Sequence, residues 1–192
     1  MAGPLQIEHL ELALDPEAPF HLNFARAQEE ILTLLTNAVM AVAIPADVPV
    51  SADGYSAPTR QDVELAVRAV SLCGHVHLPG TLSVLAYAAR SPRPGLRLAV
   101  AAALEFRADD RPELLASLLA DRNARVKARA LSVLARRPVR RRVRHLAALK
   151  RLRVDPDPRV RRLALGVGLL RRRPPSMSPR QYKQVRPLQR TM

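Results

Sequence analysis

Cys73, His75 and His77 form the only tight grouping of nucleophilic and metal-ligating side chains in the 192-residue sequence. A cysteine beside two imidazoles is the material of a thiolate nucleophile or of three zinc ligands. Zinc usually takes four ligands, and no second Cys or His pair stands elsewhere to complete the set. The two-residue spacing of His75 and His77 suits a loop or strand, as expected after a helix ending at Gly74. Cys73 closes an apolar run and is expected to pack in the core as a small hydrophobe. The expectation is therefore a helix terminus and loop, with no metal and no other cofactor. No phosphate-binding glycine loop, dinucleotide fingerprint, Gly-x-Ser-x-Gly or His-Glu-x-x-His is present, so a non-enzymatic protein is expected.

The second chemistry on offer is cationic. Residues 136–192 hold 19 Lys+Arg against two acids, Asp155 and Asp157, a net of +17, whereas residues 1–135 hold 12 basic and 15 acidic residues, a net of −3. The formal +14 is thus concentrated at one end, and such a patch attracts polyanions. Only Lys127, Lys150 and Lys183 among the 31 basic residues are lysines. Arginine offers a planar fork that grips phosphate or carboxylate with two bonds. The competing reading is a solvated, arginine-favouring surface that keeps the protein soluble.

These side chains need elements to position them. Leu, Ala and Val dominate, aromatics are 3% and Trp is absent, a composition that favours helix over sheet. The 17 prolines divide the chain into helix-sized windows, because proline breaks helix interiors but is tolerated in the first turn. This predicts about eight helices, at 22–44, 59–74, 80–90, 95–107, 112–120, 124–136, 139–153 and 158–172. Thr59 with Asp62 reads as a capping box, and Asn123 and Asp157 read as N-caps. Residues 45–58 read as a loop. Residues 5–14 fit a short strand or a helix equally well. Three regions follow: 1–58, an N-terminal helical extension and loop; 59–173, the helical body; and 174–192, a basic tail expected to be disordered because it lacks apolar periodicity. The lone cysteine and the absence of a secretion-type leader point to a cytoplasmic protein, nucleoid-associated if it binds DNA. The longest apolar run, 31–44, is too short to span a bilayer, so no membrane role is expected.

An internal repeat runs through the body. Val63, Leu96, Val126 and Val160 align at spacings of 33, 30 and 34 residues. Four residues on stand Val67, Val100, Ala130 and Ala164, and three further stand Val70, Ala103, Val133 and Val167, all on one helix face. A period near 30 with two helices per unit marks an α-solenoid. The fragments DRNARVKARALSVLA and DPDPRVRRLALGVGLL resemble HEAT-like repeats, including the short kind named after phycobilisome lyases, over 108–173 and more faintly over 59–107. The fold class expected is all-α, a short α-solenoid of HEAT-like helix pairs, with an irregular helical bundle as the alternative. Ala130, Ala164, Gly166 and Gly168 are expected to let neighbouring helices approach closely, since a mid-helix glycine otherwise costs up to about 1 kcal/mol.

Stacked repeats would align their arginines. Arg125 and Arg159 precede the aligned valines, and Lys127 and Arg161 follow them. Arg129, Arg136, Arg140, Arg141, Arg144, Arg151 and Arg162 lie off the apolar stripes, with Val139, Val143, Leu146, Leu149 and Leu152 as the inward stripe of 139–153. Arg171, Arg172 and Arg173 stand at the edge. These fourteen residues are the candidate nucleic-acid surface, for DNA or RNA, reading backbone rather than bases because aromatics for stacking are scarce. The alternatives are a scaffold that docks an acidic protein and self-association, with the acidic residues of 1–58 (Glu8, Glu11, Asp15, Glu17, Glu29, Glu30) against the basic end of a second copy. The resemblance also implies a third, lower alternative, since some HEAT-like proteins excise alkylated bases with an acidic residue and aromatics. The absence of Trp argues against that activity. Lyase-type relatives attach bilins, and no residue here specifies a bilin pocket.

Overall fold

A computed structural model describes residues 6–14, 27–43, 58–107 and 111–169, and every element in them is helical. The helices are α1 (Ile7–Leu14), α2 (Gln28–Ala43), α3 (Arg60–His75), α4 (Thr81–Ala88), α5 (Pro94–Ala103), α6 (Pro112–Leu119), α7 (Ala124–Arg136), α8 (Val139–Arg142), α9 (Leu146–Leu152) and α10 (Pro158–Leu169), with a 3-10 turn at Val143–His145. Residues 5–14, ambiguous in sequence, are helical from Ile7, and Ile7 and Leu10 are fully buried. The start of the helix expected at 22–44, the loop at 45–57 and the tail at 174–192 lie outside the described residues.

Local signals set the helix starts as expected. Thr59 and Asp62 form a capping box: the Asp62 carboxylate accepts the Thr59 amide at 2.7 Å, and Thr59 Oγ1 accepts the Asp62 amide at 3.2 Å. Asn123 Oδ1 accepts the Arg125 amide at 2.9 Å, and Asp157 Oδ1 accepts the Arg159 amide at 2.7 Å. Prolines occupy the first turns of α5 and α6, where the missing N–H would have no helical partner anyway. Gly80 precedes α4 at φ +94°, a left-handed conformation that glycine adopts without strain.

One layer contains α2, α3, α5, α7 and α10, each packed on the next in chain order. Of the remaining helices, α4 lies against α2, α3 and α5, α6 against α7 and α5, and α9 against α10. Most of the aligned apolar positions form the seam of this layer, with Val63 and Val67 of α3 only half-buried against it. Leu96, Val126 and Val160 are buried, as are Val100, Ala130 and Ala164, and Val70, Ala103, Val133 and Val167. Each buried Leu or Val is worth about 1.5–3 kcal/mol, so the seam is the main adhesive of the fold.

Three details depart from the sequence reading. The segment expected as one helix, 139–153, is α8, the 3-10 turn and α9. A 3-10 turn advances about 120° per residue instead of about 100°, so three residues rotate the apolar stripe by about 60°. Val139 and Val143 consequently point outward, 47% and 44% exposed, while His145 is buried and Leu149 and Leu152 stay in the core. Gly166 is exposed, with nothing within 4 Å of where a Cβ would stand, so close helix approach is not its role. The close approach occurs at Gly74 instead. It is the penultimate residue of α3, and a Cβ there would come within 2.8 Å of the Ala103 carbonyl oxygen on α5.

Candidate nucleic-acid interface

Cys73 is buried at the end of α3, while His75 and His77 are exposed and do not converge with it. His75 packs against the Phe106 ring, with centroids 4.3 Å apart. Burial pushes the Cys73 thiol up to about 12, against the opposing pull of the Arg107 charge, so the nucleophilic thiolate is disfavoured. Among the described residues no three His, Cys, Asp or Glu side chains cluster as a metal site.

The basic residues divide into those engaged within the fold and those facing solvent. The first engaged group follows the aligned valines. Arg97 on α5 holds the Asp121 carboxylate with Nε at 2.6 Å and Nη2 at 3.0 Å, and its Nη1 donates to the carbonyls of Ser91 and Pro92 in its own turn. Lys127 holds Asp155 through Nζ. Arg161 donates through Nη1 to the carbonyls of Asp155 and Pro156, each at 2.8 Å. At α5–α7 and α7–α10 a basic side chain on one helix thus takes an aspartate from the turn before the next, forming a rung between them. Both aspartates also brace their own turns, accepting the amides of Asn123 and Asp157.

Burial alone would raise the Asp121 carboxyl. The Arg97 hydrogen bonds, the Asn123 amide and the charges of Arg97 and Arg122 outweigh it and hold Asp121 below the usual carboxylate range. Asp155 is likewise lowered: the Lys127 bond, the Asp157 amide and the charges of Lys127 and Arg161 together overcome its burial.

A second engaged group closes helix C-termini, where unpaired carbonyls concentrate negative potential. Buried Arg107 donates to the carbonyl of Cys73 at 2.6 Å and to Thr81 Oγ1 at 2.9 Å. Thirty residues on, Arg137 donates to the carbonyls of Leu104 and Arg107, both at 2.6 Å. Arg142 Nε in turn donates to the Arg137 carbonyl at 2.6 Å. Glu105 pairs with Arg129 at 2.7 Å and also with Arg136. Near the N-terminus, Arg68 on α3 pairs with Glu8 and Glu11 of α1, so these two acids already serve the chain's own packing.

Of the candidate surface residues, Lys127 is therefore a rung, Arg161 holds its own turn, and Arg129 and Arg136 flank Glu105. Arg141 is half-buried. Arg125, Arg140, Arg144, Arg151, Arg159 and Arg162 are exposed, joined by Arg122, Lys150 and Arg153, which the sequence reading had not included. Arg171, Arg172 and Arg173 lie outside the described residues. The rungs were missed although their signal was present: Asp121 and Asp155 are 34 residues apart, the spacing of Val126 and Val160.

Both acids of 136–192 have partners within the chain, Asp157 at the surface end of α10. Asp155 is buried against Lys127, and Asp157 caps α10. The first amides of α7 and α10 are likewise closed by Asn123 and Asp157, which leaves guanidinium groups as the anion-binding chemistry. No described helix is long and apolar enough to cross a membrane. No protein-family model matches the chain, and neither the curated proteins nor the solved structures include a significant match.

Proposed function

We propose that this protein is a HEAT-like α-solenoid that binds the backbone of DNA or RNA, without catalysis and with little sequence preference, in the cytoplasm or on the nucleoid. The observation that carries this reading is the imbalance just described. Arg125, Arg140, Arg151, Arg159 and Arg162 are exposed, while of the two carboxylates of residues 136–192 Asp155 is buried against Lys127 and half-buried Asp157 caps α10. Such a surface releases counterions when it meets phosphates, and guanidinium forks suit phosphate oxygens. The single-file packing of the helical layer and the repeated rungs support the solenoid reading.

Fluorescence anisotropy against duplex DNA, single-stranded DNA and RNA over about 50–300 mM salt tests it. Six phosphate contacts predict a loss on the order of a thousandfold between 50 and 200 mM. Combined reversal of Arg125, Arg159 and Arg162 to Glu is expected to abolish binding while leaving the helical circular-dichroism signal intact. Weak binding that is equal for wild type and variant would sink the reading and favour the acidic-protein scaffold.

A further inference from the structure

The α5–α7 and α7–α10 boundaries of the helical layer share one join, and α10 presents half of that join with no described residue on it. Between α5 and α7 the join is Arg97 on Asp121, and between α7 and α10 it is Lys127 on Asp155. Arg161 occupies the same place on α10, and its Nη1 holds its own turn carbonyls as Arg97 does. Arg97 uses the other two nitrogens, Nε and Nη2, to grip the next aspartate. Among the described residues no aspartate meets Nε or Nη2 of Arg161, and residues 158–192 contain no Asp or Glu. The apolar half of the join is open as well. Leu131 on α7 is fully buried, whereas Leu165, its equivalent on α10, is 45% exposed.

We infer that the outer face of α10 docks an acidic partner protein through a turn and helix. An aspartate in the partner's turn seats on Nε and Nη2 of Arg161, and the partner's helix covers Leu165. The two preceding boundaries indicate the occupant, since α5–α7 and α7–α10 are each filled by an aspartate-bearing turn followed by a helix. The charge narrows it further. Arg162 is exposed where α7 has buried Ala128, so the incoming helix must be acidic on that side. Face-to-face pairing of two copies would set the exposed Arg162 side chains against each other. Residues 170–192 hold seven basic residues and no acidic side chain, so they do not supply the carboxylate either. This inference does not rest on nucleic-acid binding and stands or falls separately.

The test uses the full-length protein and a fluorescent peptide with the sequence of residues 119–135, carrying Glu in place of Arg122, Arg125 and Arg129. This supplies the Asp121 turn and an acidic α7-like helix. Anisotropy is expected to show saturable binding, weakened at least tenfold by Asp121→Asn in the peptide. Arg161→Lys in the protein, which keeps the charge but removes the fork, and Leu165→Ala should each weaken it by a similar factor without lowering the melting temperature enough to unfold the chain. Binding that is unchanged in the Asp121→Asn peptide, or matched by a shuffled peptide of equal charge, would reduce the effect to general attraction and overturn the inference. So would the absence of binding at millimolar peptide, or self-association of the protein that Leu165→Ala abolishes.

Discussion

Arg97 and Lys127 hold the same place in successive repeats, yet they make different joins. The Arg97–Asp121 pair is buried on both sides, with side chains 8% and 6% exposed. Its guanidinium serves two tasks at once, a two-bond grip on the next turn and two bonds to its own turn. Lys127, a single ammonium, makes only the grip on Asp155. Arg161, at the end, makes only the bonds to its own turn. The α5–α7 boundary is therefore clamped more completely than the α7–α10 boundary. The difference comes from geometry rather than charge, since a planar fork has donors in several directions and an ammonium at one point cannot reach both partners.

Acid should break both occupied rungs together. Asp121 and Asp155 are lowered in the folded protein, so they stabilise it above the unfolded carboxylate value of about 3.9. That contribution is lost as pH falls through their depressed folded values. Urea unfolding at descending pH should show the loss, and the Asp121→Asn, Asp155→Asn double variant should show a flatter profile. Next in size, Arg97→Met leaves Asp121 buried without its partner and should cost about 3–5 kcal/mol, measured by urea denaturation at neutral pH. Lys127→Met should cost less, because two fewer carbonyl bonds disappear. Equal losses would contradict the difference drawn between the two boundaries.

Lys127→Arg sharpens the comparison in the other direction. If the fork reaches the Asp121 and Arg122 carbonyls as Arg97 reaches those of its own turn, the variant should gain about 1 kcal/mol in urea denaturation. No gain would mean that the second turn is shaped differently. The smallest effect belongs to Arg161→Met, which removes hydrogen bonds at the edge of the stack and should cost about 1 kcal/mol or less by the same measurement. A loss as large as that of Arg97→Met would show that Arg161 already has a carboxylate partner.

Much of the fold was legible from sequence because its causes are local. Prolines, the Thr59–Asp62 box and the Asn123 and Asp157 caps act within three residues, and they set the starts of α3, α7 and α10. The repeated apolar positions predicted the buried seam over α5, α7 and α10 because helical periodicity fixes which residues share a face, while on α3 Val63 and Val67 are half-buried and Ala66 and Ala69 are fully buried instead. The 3-10 turn at Val143–His145 was not legible. No proline or glycine marks it, and its consequence, exposed Val139 and Val143, depends on how the segment meets α6 and α10.

The candidate surface was legible only as a pool of arginines. By itself the sequence determined that the C-terminal part is strongly cationic, that the chain is helical, and where most helices begin, because charge and capping are carried by residues near one another in the chain. Only the tertiary structure decided which cations are joints and which are surface. Arg97 finds Asp121 across 24 residues, Lys127 finds Asp155 across 28, and Arg107 and Arg137 reach carbonyls 30 or more residues away. Those pairings exist because the helices stack, and stacking is set by the buried seam rather than by the charges it brings together.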